Sequence, residues 1–475
     1  MTIAQQLLDV SSAKTAIKTA IELKGVTVGT SALSTYAAKI GAITSGGGSS
    51  YTRPADWLAL PTLTETDQKF VGLHMVAEDS NFLALTAAGA FTVDWGDGTV
   101  QNFAANVVAE HTYSFSNANL GAVTTNGWKQ AIVTLTPQVG QNLTALNLHK
   151  KHSQAGLQKY SSGFVDIGIS GSLLTSLLIG SSSDGAGTQT IAFSYLEQVN
   201  IVKSAVTNLG YLFYLCRSLA NIVALDTNSC TNAVSMFQDC SRLQTVPLFN
   251  LAACKNAVSM FLGCSRLQTV PLFNLAACTN ATFMFQSCVV LQTVPLFNLV
   301  ACTNVANMFQ GCVGLQTVPL FNLVACTNVA NMFQGCRSLQ TVPLFNLAAC
   351  TNASGMFEGC VVLQTVPLFN LAACTNATFM FYGCVVLQTV PLFNLAACTN
   401  AASMFESCYN LVKGTCSGTK VTISYANNKL SATALNAIYN ALGTSAAKTI
   451  TVTGNWGAAT DNPAIATSKG WTVTG

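Results

Sequence analysis

The residues best equipped for chemistry are eighteen cysteines, all between Cys216 and Cys416. One series steps by 24 residues from Cys216 to Cys408, a second steps by 24 from Cys230 to Cys398, and Cys416 stands alone. Thiols so spaced could bind zinc, pair as disulfides, attack an electrophile or fill a core. Zinc fits worst: no C-x-x-C pair occurs, and His74, His111, His149 and His152 lie outside both series. Disulfides between neighbouring units are open to geometry, because stacked β-layers sit ~4.8 Å apart, inside the Cα range of a bridge. Yet parallel side chains do not tilt toward each other, and the odd first series cannot pair fully within itself. The leading expectation is two columns of buried, unpaired thiols that pack as small hydrophobes. Nothing in the sequence sets a histidine beside a thiol. G-x-S-x-G, a phosphate loop and H-E-x-x-H are missing, and carboxylates are too sparse in the cysteine region for a glycosidase pair. The expectation is therefore a non-enzymatic protein without metal or cofactor.

What places the thiols is a repeat. The string LQTVPLFN begins at Leu243, Leu267, Leu291, Leu315, Leu339, Leu363 and Leu387, with degenerate copies at Leu219 and Leu411. A fixed period of 24 residues means stacked coils that offer a long regular surface. In one unit the apolar residues are Leu291, Val294, Leu296, Leu299, Cys302, Val305, Met308 and Cys312. If the string is a strand, residues two apart share a face. Val294 and Leu296 would then point inward, and Pro295 and Phe297 outward. That reading lines Phe249, Phe273, Phe297, Phe321, Phe345, Phe369 and Phe393 along the surface, as an oligomer contact or ligand platform. The opposite face remains open, with these phenylalanines in the core. The proline in each string donates no ladder hydrogen bond, so the strand face is expected to be short or irregular.

Few slots differ between units. The residue before Met-Phe is Ser235, Ser259, Phe283, Asn307, Asn331, Gly355, Phe379 or Ser403, and the residue after it varies similarly up to Tyr382 and Glu406. The position after the second cysteine carries Arg337 in one unit and Tyr409 in another. Variation inside a fixed frame places these side chains on the surface, where a readout face and neutral drift predict the same pattern. Phe283, Phe379, Tyr382, Arg337 and Tyr409 are the candidate ligand-binding residues. Only 8% of the chain is charged, against about 25% in ordinary soluble proteins. A partner of this surface must be held by shape, apolar contact and neutral hydrogen bonds. A net charge of +3 without a basic stripe argues against nucleic acid. Apolar spans are too short to cross a bilayer, so membrane insertion is not expected.

The remaining chain divides by composition. Residues 1–44 read as a helical attachment segment: Ile3, Leu7, Ile17 and Ile21 form one helical stripe, and Tyr36 and Ile40 belong to a second. Gln5, Gln6, Asp9, Lys14 and Lys18 break any continuous apolar stretch, so no secretory signal is expected. Residues 45–50, SGGGSS, suit a flexible linker. Residues 51–137 look all-β and 138–218 like irregular leucine-rich coils. The regular repeats fill 219–416. Residues 417–475 suit an α/β cap, with Ser431 as helix N-cap and a strand from Lys448. His149-Lys150-Lys151-His152 is the one dense basic cluster, expected to be a solvated loop or an anion contact.

Three resemblances follow. Val93-Asp94-Trp95-Gly96-Asp97-Gly98-Thr99 with Glu110-His111-Thr112-Tyr113 resembles the turn and later strand of PKD-type sandwiches. Gly96 and Gly98 suit a tight turn, and Asp94 and Asp97 lack the spacing of a calcium loop. The repeat N-x-x-M-F-x-x-C followed by L-x-x-V-x-L resembles BspA-type leucine-rich repeats of bacterial surface and phage proteins. Ala13-Lys14-Thr15-Ala16-Ile17-Lys18 and Lys24-Gly25-Val26 resemble attachment regions of tailed-phage fibres. Together they imply a multidomain fold: helical N-terminus, PKD-like sandwich, leucine-rich solenoid, α/β cap. They also imply a virion fibre protein that docks to other virion proteins through its N-terminus and binds a host surface protein or glycan. Fibres of this kind are homo-oligomers, often trimers. Alternatives are a structural virion component or a bacterial surface adhesin.

Overall fold

The computed structural model describes residues 51–78, 82–150, 152–153, 163–180 and 195–475. The expected helices, the linker, and the attachment residues Ile3, Leu7, Ile17, Ile21, Tyr36 and Ile40 lie outside the described residues. Among the described residues the chain is mostly β with few helices.

Among the described residues eleven strands run up to and into the first, degenerate repeat: β1 (Lys69–Val76), β2 (Phe82–Ala87), β3 (Phe91–Asp94), β4 (Val100–Phe103), β5 (Ala109–Thr112), β6 (Lys129–Pro137), β7 (Ala145–Asn147), β8 (Phe164–Ser170), β9 (Ser176–Leu178), β10 (Gln198–Lys203) and β11 (Asn221–Leu225). They form two sheets, ordered β11-β10-β8-β1-β6-β3-β4 and β5-β2-β7-β9. Both sheets change character along their width. Pairing among β1 to β6, and of β1 with β8 and β2 with β7, is antiparallel. From β8 to β10 to β11, and from β7 to β9, it is parallel. Leu146 faces Leu177 and Ile167 faces Val199, so these first coils are 31 and 32 residues long. Val199 then faces Ile222, close to the 24-residue period. Each sheet thus runs from the antiparallel region into one wall of the coils. The expected boundary between 137 and 138 falls inside both sheets, and residues 51–475 form one unit. The reason is edge satisfaction: β1 and β2 each have an open side, and the first coils pair with them.

The regular units stack as successive coils. Asn208, Asn232, Asn256 and their successors to Asn400 bridge in parallel, each to the equivalent asparagine one unit on. Cross-coil bonds concentrate on the Met-Phe side. The N–H groups of Val305, Asn307, Phe309 and Gly311 donate to the carbonyls of Asn328, Ala330, Met332 and Gln334 at 2.8–3.0 Å. Between them, Met308, Gln310 and Cys312 donate back within their own coil to Val305, Asn307 and Phe309. Such alternation needs a left-handed backbone at two points, Asn307 (φ 58°) and Gly311 (φ 70°). From Cys240 on, each thiol of the first series donates to a carbonyl in the preceding coil, as Cys312 does to Phe285 at 3.0 Å. Each thiol of the second series donates within its coil, as Cys302 does to Asn304 at 3.3 Å.

The phenylalanine stripe is not on the surface. Phe297, Phe321 and Phe345 are each 1% exposed, whereas Leu296, Leu320 and Leu344 are 56% exposed. The expected faces of Leu296 and Phe297 are reversed. The cause is the proline. The Phe297 N–H turns back to the Pro295 carbonyl at 2.9 Å, a three-residue turn that breaks two-residue alternation. Val294 and Phe297, three apart, therefore both point inward. The rings form one stack running into the second column: Phe297 lies 6.2 Å from Phe321 and 5.7 Å from Phe285. Spacing between coils is 6.2 Å for Phe321 to Phe345 but 5.7 Å for Phe309 to Phe333. The coils splay slightly on the proline side, where cross-coil bonds are few.

The last string forms β12 (Thr389–Asn394), and after it come β13 (Lys413–Ser417), β14 (Ile423–Ser424), helix α1 (Ala432–Ala441), β15 (Lys448–Thr451), helix α2 (Ala464–Thr467) and β16 (Trp471–Thr474). Strands β12 and β13 pair in parallel, as do β14, β15 and β16, so the stacking direction continues to the end of the chain. Ser431 caps α1 by accepting from the Ala434 N–H at 3.2 Å. Tyr425 continues the ring stack, 5.0 Å from Phe405.

Candidate binding faces of the coils

The Asp94–Thr99 turn commits its carboxylates to structure. Asp94 accepts from the Gly96 N–H at 2.9 Å and Asp97 from the Thr99 N–H at 3.0 Å. The other Asp97 oxygen meets His111 Nε2 at 2.9 Å. Burial alone would raise the Asp97 carboxyl. The bonds from His111 and Thr99 outweigh it and hold the group below its usual range. Trp95 stacks on His111 at 4.8 Å, and the Tyr113 hydroxyl donates to the Trp95 carbonyl at 2.9 Å. His74 is fully enclosed beside Tyr113 and Phe164, with neither ring nitrogen in a well-formed hydrogen bond. Burial lowers its pKa to about 3, so it is a neutral core ring. His149 and His152 are not on a solvated loop: both are buried. His149 Nδ1 meets the Gly180 carbonyl at 2.8 Å, and the His152 ring packs 5.3 Å from Phe82. Two short apolar-sided rings find partners in the core, which the flanking lysines obscured.

Most thiols are held neutral by burial, whereas hydrogen bonds from the Cys230 and Cys278 thiols hold Cys254 and Cys302 below the usual thiol range. Burial pushes Cys312 and Cys360 up to about 12 and Cys326 up to about 11. The thiolate is the nucleophile and metal ligand, so these groups stay in their unreactive form near neutral pH. All eighteen cysteines are buried. Their use is structural: a thiol fills a small apolar slot and supplies a weak donor to a buried carbonyl.

What remains available to a partner is the outer surface of the coils. The variable residue before Met-Phe proves to be the left-handed position: Ser235, Ser259, Phe283, Asn307, Asn331, Gly355, Phe379 and Ser403 all have φ between 52° and 60°. Asparagine, serine and glycine suit it. Phenylalanine there carries a penalty of about 1–2 kcal/mol. Phe379 is nevertheless 41% exposed and meets Tyr382 at 5.6 Å, edge to face. Gln286, Gln310 and Gln334, in the column of Tyr382, hydrogen-bond side chain to side chain along the stack. Glu358, Tyr382 and Glu406 end that amide ladder. Of the five expected binding residues, Phe379 and Tyr382 come together. Phe283, half-buried, lies four units away. Arg337 and Tyr409 are exposed on two further coils. Sequence reasoning missed a groove of about 670 Å³ at the last coils, lined by Thr365, Val390, Leu392 and Lys413 among others. It also missed the leucine ridge, because the alternation rule hid both.

Residues 188–299 and 303–415 match the model of a family described as "Mycoplasma protein of unknown function, DUF285". Both matched stretches lie mainly on the coils and leave more than half of the chain unmatched. Among curated proteins, none matches the chain. The solved structure described as "Crystal structure of TLR13-ssRNA13 complex" aligns with TM-score 0.24 at 16% identity, over 61% of this chain and 50% of that one. The chain therefore spans about half the length of that protein. Among the described residues no helix is long and apolar enough to cross a membrane.

Proposed function

We propose that this chain is a non-enzymatic binding protein of a virus particle. In this reading it is a tail-fibre component whose DUF285 coils bind a host-surface glycan and whose residues 1–44 dock to other virion proteins. The observation that carries the binding half is the Phe379–Tyr382 pair. Exposed Phe379, in a left-handed column otherwise filled mainly by serine, asparagine and glycine, meets half-buried Tyr382 of the glutamine column edge to face. An aromatic face suits the C–H face of a sugar ring, while Glu358, Glu406 and the glutamine ladder offer acceptors for hydroxyls. Repetition along the stack suits weak contacts made many times. The non-enzymatic half is supported by where the reactive groups are held: all thiols buried and most pushed up by that burial, turn carboxylates engaged by backbone and His111. The attachment half rests on the resemblance of residues 13–18 and 24–26 to fibre attachment regions and on the order of segments.

The full chain, fluorescently labelled, should bind susceptible cells, and Phe379→Ala with Tyr382→Ala should lower binding at least tenfold without changing the circular-dichroism spectrum. Periodate treatment of the cells should abolish binding; loss on protease treatment alone would replace the glycan with a protein receptor. Removing residues 1–50 should abolish incorporation into particles. Incorporation without any cell binding would favour a structural virion component, and cell binding without a particle would favour a bacterial surface adhesin.

A further inference from the structure

The seven LQTVPLFN strings are identical although several of their positions face solvent. The fold explains most of the identity. The first leucine, the valine and the phenylalanine are core residues. The asparagine accepts from a backbone N–H two residues on, as Asn298 does from Val300 at 3.3 Å. The proline sets the turn. The second leucine has no such role. Leu248 is 70% exposed, Leu272 58%, Leu368 and Leu392 57%, and the three between them 56%. The glutamine and threonine of the string, such as Gln316 and Thr317, are also exposed and constant, but they are polar; this leucine is the one apolar side chain of the string that faces solvent at every coil.

We propose that this leucine ridge is the interface between two copies of this chain, packed antiparallel. Three observations select a second copy as occupant. First, a ridge that is the same at every coil carries no positional information, so a partner must match its period, and another copy does. Second, each leucine leaves on the order of 100 Å² of apolar surface, and seven give on the order of 700 Å², close to the ~800 Å² per partner of a stable interface. Third, between Leu243 and Asn400 only Lys255, Arg266, Arg337 and Glu358 are charged, and none lies in a string. Nothing on the ridge repels a copy of itself or selects a charged partner. The ridge ends beside exposed Lys413, in the groove with Leu392. A parallel pair would set the two Lys413 ammonium groups together, whereas an antiparallel pair separates them by the length of the ridge. Antiparallel packing is also isologous and closes at two. It places Leu320, fourth of the seven, on the twofold axis against its own equivalent.

Sedimentation velocity of the full chain at about micromolar concentration should give a dimer. Leu296→Lys with Leu320→Lys and Leu344→Lys should give a monomer with an unchanged circular-dichroism spectrum. Since the native thiols are buried, diamide should cross-link Leu320→Cys across the axis into a covalent dimer and leave Leu248→Cys uncross-linked. A wild-type monomer or trimer, a dimer that survives the three lysines, or equal cross-linking of Leu248→Cys and Leu320→Cys would each overturn the proposal.

Discussion

Leu344 and Phe345 are neighbours in the chain and opposite in environment, and replacing each by alanine tests the coil interior directly. Phe345 is 1% exposed. Its ring meets Phe321 at 6.2 Å, Phe333 at 6.0 Å and Phe369 at 6.2 Å. A buried Phe→Ala change costs about 3–5 kcal/mol. Three stacked neighbours, each contributing about 0.5–1.5 kcal/mol beyond area, place Phe345→Ala toward the upper end. Leu344 is 56% exposed, so Leu344→Ala should move folding stability by no more than about 0.5 kcal/mol.

The contrast is read by urea unfolding at low protein concentration, so that association does not add to apparent stability. Hydrogen exchange supplies location. Because each coil contacts only its neighbours, Phe345→Ala should raise exchange in the coils on either side and leave the antiparallel region near β1 unchanged. Were the string a regular strand, the two results would be exchanged. Equal losses from both variants, or a loss below about 1 kcal/mol from Phe345→Ala, would refute the inward ring column.

Three further outcomes are expected. His74 is neutral when folded, with its pKa lowered from 6.5 to about 3. Above pH 6.5 it adds no pH dependence. Between pH 6.5 and 3 the unfolded chain takes up a proton that the folded ring refuses, so stability falls with pH by about 1.4 kcal/mol per unit. His74→Leu should remove one proton from that slope in urea titrations, and an unchanged slope would show that the ring protonates in place. Thiol titration with an aromatic disulfide should find almost none reactive in the native protein and all eighteen after denaturation without reductant; few free thiols in the denatured chain would reject the reduced columns. Gly96→Ala should cost about 1–3 kcal/mol or more, because φ is +75° and the new Cβ would meet the Ile132 carbonyl at 2.5 Å. Gly127→Ala, with φ +83° and open space around it, should cost less in the same melt.

Much of the coil was legible in the sequence. Of the apolar residues of one unit, Leu291, Val294, Leu299, Cys302, Val305, Met308 and Cys312 are buried, as was expected of Val294 and the thiols. The period alone places them, since a residue repeated every 24 positions must meet its equivalent in the next coil. The cap helix was legible through Ser431, whose side-chain acceptor is a local property. What failed was non-local or depended on backbone shape. Leu296 and Phe297 were assigned to the wrong faces because alternation presumes a hydrogen-bonded ladder, and the turn that opens at Pro295 and closes at the Phe297 N–H interrupts it. The continuity of the sheets across residue 137 depends on which edges remain open after β1 and β2 form, which no local window reports. The left-handed slot did leave a trace: asparagine, serine and glycine recur before Met-Phe, the types that tolerate positive φ. Read that way, Phe283 and Phe379 stand out from the column on backbone grounds alone.

The binding face and the ridge make opposite use of the same repeat. Cross-coil hydrogen bonds on the Met-Phe side fix the backbone so firmly that a bulky residue at a left-handed position is tolerated, and side chains there can change without moving the coil. On the proline side few cross-coil bonds exist, the coils splay, and an apolar ridge is constant in all seven strings. A face that varies over a rigid frame suits recognition of something outside the chain. A face that stays uniform suits matching to an equal. If both assignments hold, an antiparallel pair displays two Phe379–Tyr382 sites at opposite ends of one assembly. Contacts without charge are individually weak, and holding two of them on one rigid body raises avidity by about 10²–10⁴ where a dense surface lets both engage. The near absence of charge in the coils would then be a shared requirement: it leaves the ridge free to self-associate and makes binding at the readout face depend on repetition.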